Sequence, residues 1–238
     1  MTGAKETLRA QAANNHNLAN VNTTGFRADL SAFQSRAVAG AGYASRVYAT
    51  NAMTGWDDTT GPMQSTGNPL DIAVQGAGFI AVQGPDGKEA YTRAGDLHVD
   101  PTGLLLNGTG HVVLGDGGPI SVPPNSAIDV GGDGTISIVP QGQTPNTLSS
   151  VGRIKLVNPG TDALTIGEDG LFHTRTGEPA PADVAVKVTS GVLEGSNVNI
   201  ANTMVTMIEL ARNFDLQVKA IRSAEDNGAA STKILQTS

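Results

Sequence analysis

The sequence predicts a mixed fold, an antiparallel β-domain inserted between N- and C-terminal helices that pair as a coiled coil. Three observations predict it. The chain carries 30 glycines and 12 prolines, and through its middle they punctuate short β-branched runs. The stretch from Gly3 to Asn20 is rich in Ala, Gln, Glu and Leu, with neither Gly nor Pro after Gly3, so helix is its natural state. The stretch after Gly195-Ser196 repeats apolar residues at heptad spacing.

Taken in order, the N-terminal region (1–34) offers only a thin apolar stripe, Ala4, Leu8, Ala12, Leu18 and Ala19, interrupted by asparagines. Isolated helices shorter than about 12–15 residues are barely stable in water, so this one requires a partner. The next stretch (35–67) is rich in Ala, Gly, Thr and Ser without a clear period and reads as an extended connector. The β-rich region (68–195) holds the alternating Leu70, Ile72 and Val74, then apolar runs at Phe79 to Val82, His111 to Leu114, Thr135 to Val139, Arg153 to Val157 and Val184 to Val188. Between them lie Pro85-Asp86-Gly87, Asp100-Pro101-Thr102-Gly103, Asn107-Gly108, Gly132-Asp133-Gly134 and Glu168-Asp169-Gly170, all suited to tight reversals. In the last region (196–238), Ile200, Met204, Met207, Ala211, Phe214, Val218 and Ile221 form an a/d seam. The register runs on through Glu225, Gly228 and Thr232 to Leu235, weakened by its polar members, and Ser196, Asn197 or Asn199 can cap the start.

Composition narrows the chemistry. Hydrophobic residues make up 39% but aromatics only 4%, so the core is built from Val, Ile, Leu and Ala. A net charge of -7 with scattered Lys and Arg argues against a nucleic-acid partner. With no cysteine, thiolate metal sites, disulfides and thiol nucleophiles are excluded. No run of eighteen apolar residues predicts a membrane span, and Met1 to Ala19 lacks the apolar core of a cleavable secretory signal.

Each motif with catalytic overtones has a plainer reading. Gly76-Ala77-Gly78-Phe79 resembles a loose dinucleotide fingerprint, but a β-branched run follows it where a helix N-terminus is needed. The Asp-Gly pairs near Asp133 and Asp169 lack the alternating oxygen ligands and closing Glu of a calcium loop. His16, His98, His111 and His173 are far apart and show no ligand spacing, and no serine sits in a Gly-x-Ser-x-Gly elbow. The expectation is a protein without a catalytic site, cofactor, metal or small-molecule substrate. A secreted adhesin or solenoid would share the Gly-rich β content but should show an internal repeat of fixed period, and none is found.

Asn14-Asn15-His16-Asn17-Leu18-Ala19-Asn20-Val21-Asn22-Thr23-Thr24-Gly25-Phe26 resembles the N-terminal signature of bacterial flagellar rod and hook proteins. Gly67-Asn68-Pro69-Leu70-Asp71-Ile72-Ala73-Val74 and Tyr91-Thr92-Arg93-Ala94-Gly95 resemble the middle of that family, and Gly191-Val192-Leu193-Glu194-Gly195-Ser196-Asn197-Val198-Asn199 its C-terminal part. Ala211-Arg212-Asn213-Phe214, Lys219-Ala220-Ile221 and Asp226-Asn227 are more similar to the proximal-rod, or FlgF, type than to the distal-rod type. The family carries several more residues ahead of the position of Thr2, which implies a start at an internal Met or a shortened first helix.

The resemblance implies an axial protein of the flagellar basal body, located in the rod that crosses the periplasm. It implies export by the flagellar type III apparatus without a cleaved signal peptide, and partners that are copies of itself and other rod proteins. The terminal helices would pair and pack against neighbouring subunits in non-closing, heterologous contacts, giving a helical tube. Taken with the two apolar stripes, it places the assembly interface on Leu8, Asn17, Leu18, Ala19, Asn20, Gly25, Phe26, Ile200, Met204, Met207, Ala211, Phe214, Val218 and Ile221. The termini are expected to be largely disordered before docking, and the connector to bridge subunits.

Overall fold

The computed structural model describes residues 2–37, 47–143, 147–167 and 169–236. Residues 38–46 of the expected connector, Glu168 of an expected turn and the side chains of Thr232 and Leu235 lie outside the described residues. The chain divides into two compact units, Met1–Val21 with Ala28–Asp57 and Val198–Ser238, and Asn22–Arg27 with Asp58–Asn197.

The terminal unit contains α1 (Thr2–Ala19), the strands β1 (Asp29–Ala37) and β2 (Val47–Trp56), and the long helix α2 (Ile200–Gln236). α2 starts where Asn199 caps it: the Asn199 side-chain oxygen accepts from the Asn202 amide at 3.1 Å, and its carbonyl accepts from the Thr203 amide at 3.0 Å. α1 lies antiparallel beside α2. Gln217 donates to the Thr7 hydroxyl at 3.0 Å, and Asn14 donates to the Thr203 carbonyl at 2.9 Å further along.

The face of α2 covered within this unit consists of buried Thr203 and Leu210 with half-buried Met207, Phe214, Gln217, Val218 and Ile221. That face is rotated from the expected seam, because Ile200, Met204 and Ala211 are exposed and polar Thr203 and Gln217 take places in the contact. On this face the Gln217 side chain bonds the Thr7 hydroxyl of α1, whereas the Thr203 hydroxyl donates to the Asn199 carbonyl at the start of α2 at 2.7 Å and only the Thr203 backbone carbonyl meets Asn14.

The stretch expected as a connector from residue 35 onward contains more structure than its composition suggested. β1 and β2 pair antiparallel from Asp29 opposite Trp56 to Ala37 opposite Val47, with a register shift after Leu30. Met63–Ser65, also within that stretch, pairs with Val192–Glu194. Small residues and threonine give these strands little apolar alternation, and alternation was the signal sought in the sequence.

The β unit is antiparallel throughout. Its largest sheet has five strands in the order Leu156–Val157, Phe79–Gln83, Glu89–Thr92, Phe172–Thr174 and Leu164–Ile166. A three-stranded sheet runs Asn125–Val130, Thr135–Pro140, Ser149–Arg153, and Ile72–Gln75 pairs with Lys187–Ser190. The core between them is aliphatic, with Ile72, Val74, Ile80, Val82, Leu105, Val113, Ile136 and Ile154 fully buried. The strand expected from Val184 begins only at Lys187, because Asp183 folds the chain first: its carboxylate accepts from the Ala185 amide at 2.8 Å, leaving Val184 exposed.

Candidate functional site

Two places in the chain gather the residues that the sequence singled out. The first is the end of α1 and the start of β1. Asn17 offers its side-chain amide to the backbone of Asp29, donating to the carbonyl at 3.0 Å and accepting from the amide at 2.8 Å. His16 Nδ1 lies 2.7 Å from the Asp29 carboxylate. Asn20 donates to the His16 carbonyl at 3.0 Å. The asparagines of the signature therefore bond within the chain, setting where β1 departs from α1. Leu18 is half-buried, and Leu8 and Ala19 are exposed.

The second place lies inside the β unit, around one buried carboxylate. Glu194 is fully buried and receives Arg27 Nη2 at 2.7 Å on one oxygen and Arg93 Nε at 2.9 Å on the other. The Gly61 amide donates to the Arg27-facing oxygen at 3.0 Å. Arg93 spends its remaining donors on the carbonyls of Gly76 and Gly78 at 2.7–2.8 Å, and its guanidinium sits 5.9 Å from the Phe79 ring centroid. The glycine pair that resembled a nucleotide fingerprint thus presents carbonyls to an arginine. Burial lowers the Arg93 pKa from its ordinary value, and the Glu194 charge pulls it back up. Arg27 also donates to the Thr59 carbonyl, which accepts Asn197 Nδ2 at 3.0 Å as well.

This arrangement explains two glycines. Gly25 is buried with φ +66, its amide donates to the Glu194 carbonyl at 2.8 Å, and a Cβ there would lie 2.3 Å from the Arg93 carbonyl carbon. A Cβ on Gly61 would lie 2.0 Å from the Gly195 carbonyl oxygen. The half-buried Phe26 accepts from the Asn197 amide at 3.3 Å. The signature turn, the segment 59–62, the Tyr91-to-Gly95 motif and the approach to α2 therefore meet at one point.

Of the residues expected to form the interface, Asn17, Gly25 and the Phe26 backbone make contacts within the chain, whereas Leu8, Ala19, Ile200, Met204 and Ala211 are exposed. Met207, Phe214, Val218 and Ile221 are half-buried. Sequence reasoning missed Arg27 and Glu194 as partners, since charged residues far apart in sequence carry no periodic signal. It also missed Val205 and Ile208, exposed by 56% and 55% beside Met204. Their signal was present in the apolar run Met204-Val205-Thr206-Met207-Ile208, which has more apolar residues than one seam uses.

A cleft of about 490 Å³ in the β unit is lined by Glu89, Asp116, Arg153, Lys155 and Asp183 among others, and its lining contains no Ser, Thr, His or Cys. Lys155 and Glu89 pair within it at 2.8 Å. Among the described residues no group of three or more His, Cys, Asp or Glu is placed to hold a metal ion, and no helix is long and apolar enough to cross a membrane.

Residues 73–138 match the family described as flagellar hook protein FlgE/F/G D1 domain, and residues 189–237 match the flagellar basal body rod FlgEFG protein C-terminal family. The chain is 43% identical to the flagellar basal-body rod protein FlgF of Escherichia coli (strain K12), over 100% of this chain and 97% of that protein. It is 42% identical to FlgF of Salmonella typhimurium with the same coverage, and 32% identical to the flagellar basal-body rod protein FlgG of Bacillus subtilis over 89% of this chain and 88% of that one. The chain belongs to the flagellar basal-body rod proteins, and within them to the FlgF type.

Proposed function

We propose that this chain is a structural subunit of the flagellar basal-body rod, in its proximal part, and that it assembles helically with copies of itself and other rod proteins. The observation that carries the reading is the outward face of α2. Ile200, Met204, Val205 and Ile208 lie exposed on the same helix whose Thr203, Met207 and Leu210 face is covered. A helix with one partner needs a single apolar stripe. The apolar surface of α2 extends well past that stripe, which fits a helix with further partners.

Such contacts between different faces repeat without closing, and so generate a tube suited to passing motor torque. Regular coiled-coil packing belongs to the assembled state in this reading, with Met207, Phe214, Val218 and Ile221 shared between the partner within the chain and those of neighbouring subunits. The division into an axial part (1–34 and 196–238), a bridging segment (35–67) and an outer β-domain (68–195) belongs to the same proposal. So do a location in the periplasmic rod and export through the flagellar apparatus without a cleaved signal.

The test is complementation of a strain lacking its own copy. Chains carrying Met204→Asp with Ile208→Asp are expected to fold, as judged by circular dichroism, and to give non-motile cells without complete basal bodies. Wild-type swimming with that double variant would refute the role of the outward face.

A further inference from the structure

We propose that Asp71 and Asp96 form an acid-tightened clasp in the β unit, in which Asp96 takes up a proton from solvent on acidification and donates it to Asp71 as a hydrogen bond. The two aspartates form an isolated antiparallel bridge at the starts of Ile72–Gln75 and Leu97–Val99. The bonds that flank it run from the Ile72 amide to the Gly95 carbonyl at 2.8 Å and from the Leu97 amide to the Leu70 carbonyl at 3.4 Å. Asp71 and Asp96 are therefore a non-hydrogen-bonded pair, the arrangement that brings opposite side chains closest on one face of the ladder. Like charges directly opposite each other are destabilising there.

The surroundings decide which of the two holds the proton. Asp71 is buried, and its Oδ1 accepts from Asn68 Nδ2 at 2.9 Å, which supports the charged form. Half-buried Asp96 has its Oδ1 shut off from solvent with no hydrogen-bond partner among the described residues. Its Oδ2 lies 1.7 Å from where a Cβ on Gly108 would stand, so a glycine at that position is what admits the carboxyl group. Burial chiefly raises the Asp96 pKa above its ordinary value of 3.8, and the amides of Asp96 and Gly108 draw it back. Of the titratable groups that act on it, Asp71 pushes it up and exposed His98 pulls it down.

A carboxyl group whose pKa is raised by folding binds its proton more tightly in the folded state. Its contribution to stability is therefore complete below 3.8 and is lost as pH rises through the folded midpoint. Asp100 and Asp133 act in the opposite sense, since hydrogen bonds from Thr102 and Thr135 hold their carboxyls below the ordinary range and that support is lost on acidification. The bridge thus firms the starts of two strands under the conditions that weaken the Asp100 and Asp133 turns.

The experiment follows urea unfolding of the full chain and of its Asp96→Asn variant across pH, with carboxyl-carbon NMR titration of the wild type and of Asp71→Asn. Asparagine carries the donor that the protonated acid supplies. Asp96→Asn is therefore expected to show the higher urea midpoint at neutral pH, with the difference closing as pH falls towards 3.8. In the titration, Asp96 is expected to protonate above 3.8, and Asp71→Asn to shift its midpoint downward. A difference that does not vary with pH, or a less stable Asp96→Asn at neutral pH, would overturn the clasp. An Asp96 midpoint unmoved by Asp71→Asn would overturn it too, because burial alone would then hold the proton.

Discussion

Gly25 shows how much one residue decides here. Its left-handed backbone and the 2.3 Å approach to Arg93 leave no room for a Cβ. Gly25→Ala should cost roughly 2–4 kcal/mol in a denaturant titration, from backbone strain and the clash together. Glu194→Ala is the harsher change, since it leaves two buried cations facing one another, and about 3–5 kcal/mol should be lost from the same transition. Tyr91 gives a pH signature. Its phenol is buried, donates to Glu89 at 2.9 Å and accepts from the Ala180 amide at 2.6 Å. Burial chiefly pushes its pKa from 10.0 up to about 12. The folded state therefore holds this proton more tightly than the unfolded state. The stabilisation is complete below pH 10.0 and fades as pH rises through about 12. Alkaline unfolding followed by circular dichroism should show that loss, and Tyr91→Phe should make the same interval flatter. At this scale the sequence was least legible. It marked Gly25 and Phe26 by resemblance, but nothing in it joined Arg27 to Glu194, because pairing across that separation depends on topology.

Among the elements, α2 was the most legible and also the most instructive departure. Heptad spacing located the helix and its apolar residues, but not which of them are covered, because polar Thr203 and Gln217 also sit on the covered face and carry no apolar signal. The two faces should separate experimentally. Leu210→Ala, at a buried position, should lower the stability of the free subunit by about 2–5 kcal/mol. Met204→Ala, at an exposed one, should leave it within about 0.5 kcal/mol. Thermal melts followed at the helical circular dichroism band distinguish them. The strands at Phe79, Thr135 and Ile72 were readable because branched apolar residues sit between turn residues there. β1 and β2 were not, because their Ala, Ser, Thr and Gly content carries no alternation and their pairing is set by backbone bonds.

At the scale of the whole molecule, helices at both termini and a β-rich middle were all present in the sequence, and the full-length likeness to FlgF proteins agrees with that order. What composition could not supply is the reason such a chain keeps so much apolar surface outside. An aliphatic β core buries its own side chains completely, whereas α2 leaves Met204 and Ile208 more than half exposed. In the proposed assembly, that exposed surface is the one that neighbouring subunits cover. The absence of cysteine from the chain allows a direct measurement: Ile208→Cys provides a single thiol, whose maleimide labelling can be compared in the free subunit and in intact basal bodies. Rapid labelling of the free subunit with protection in the basal body is the predicted result, and equal labelling in both states would contradict assembly through this face.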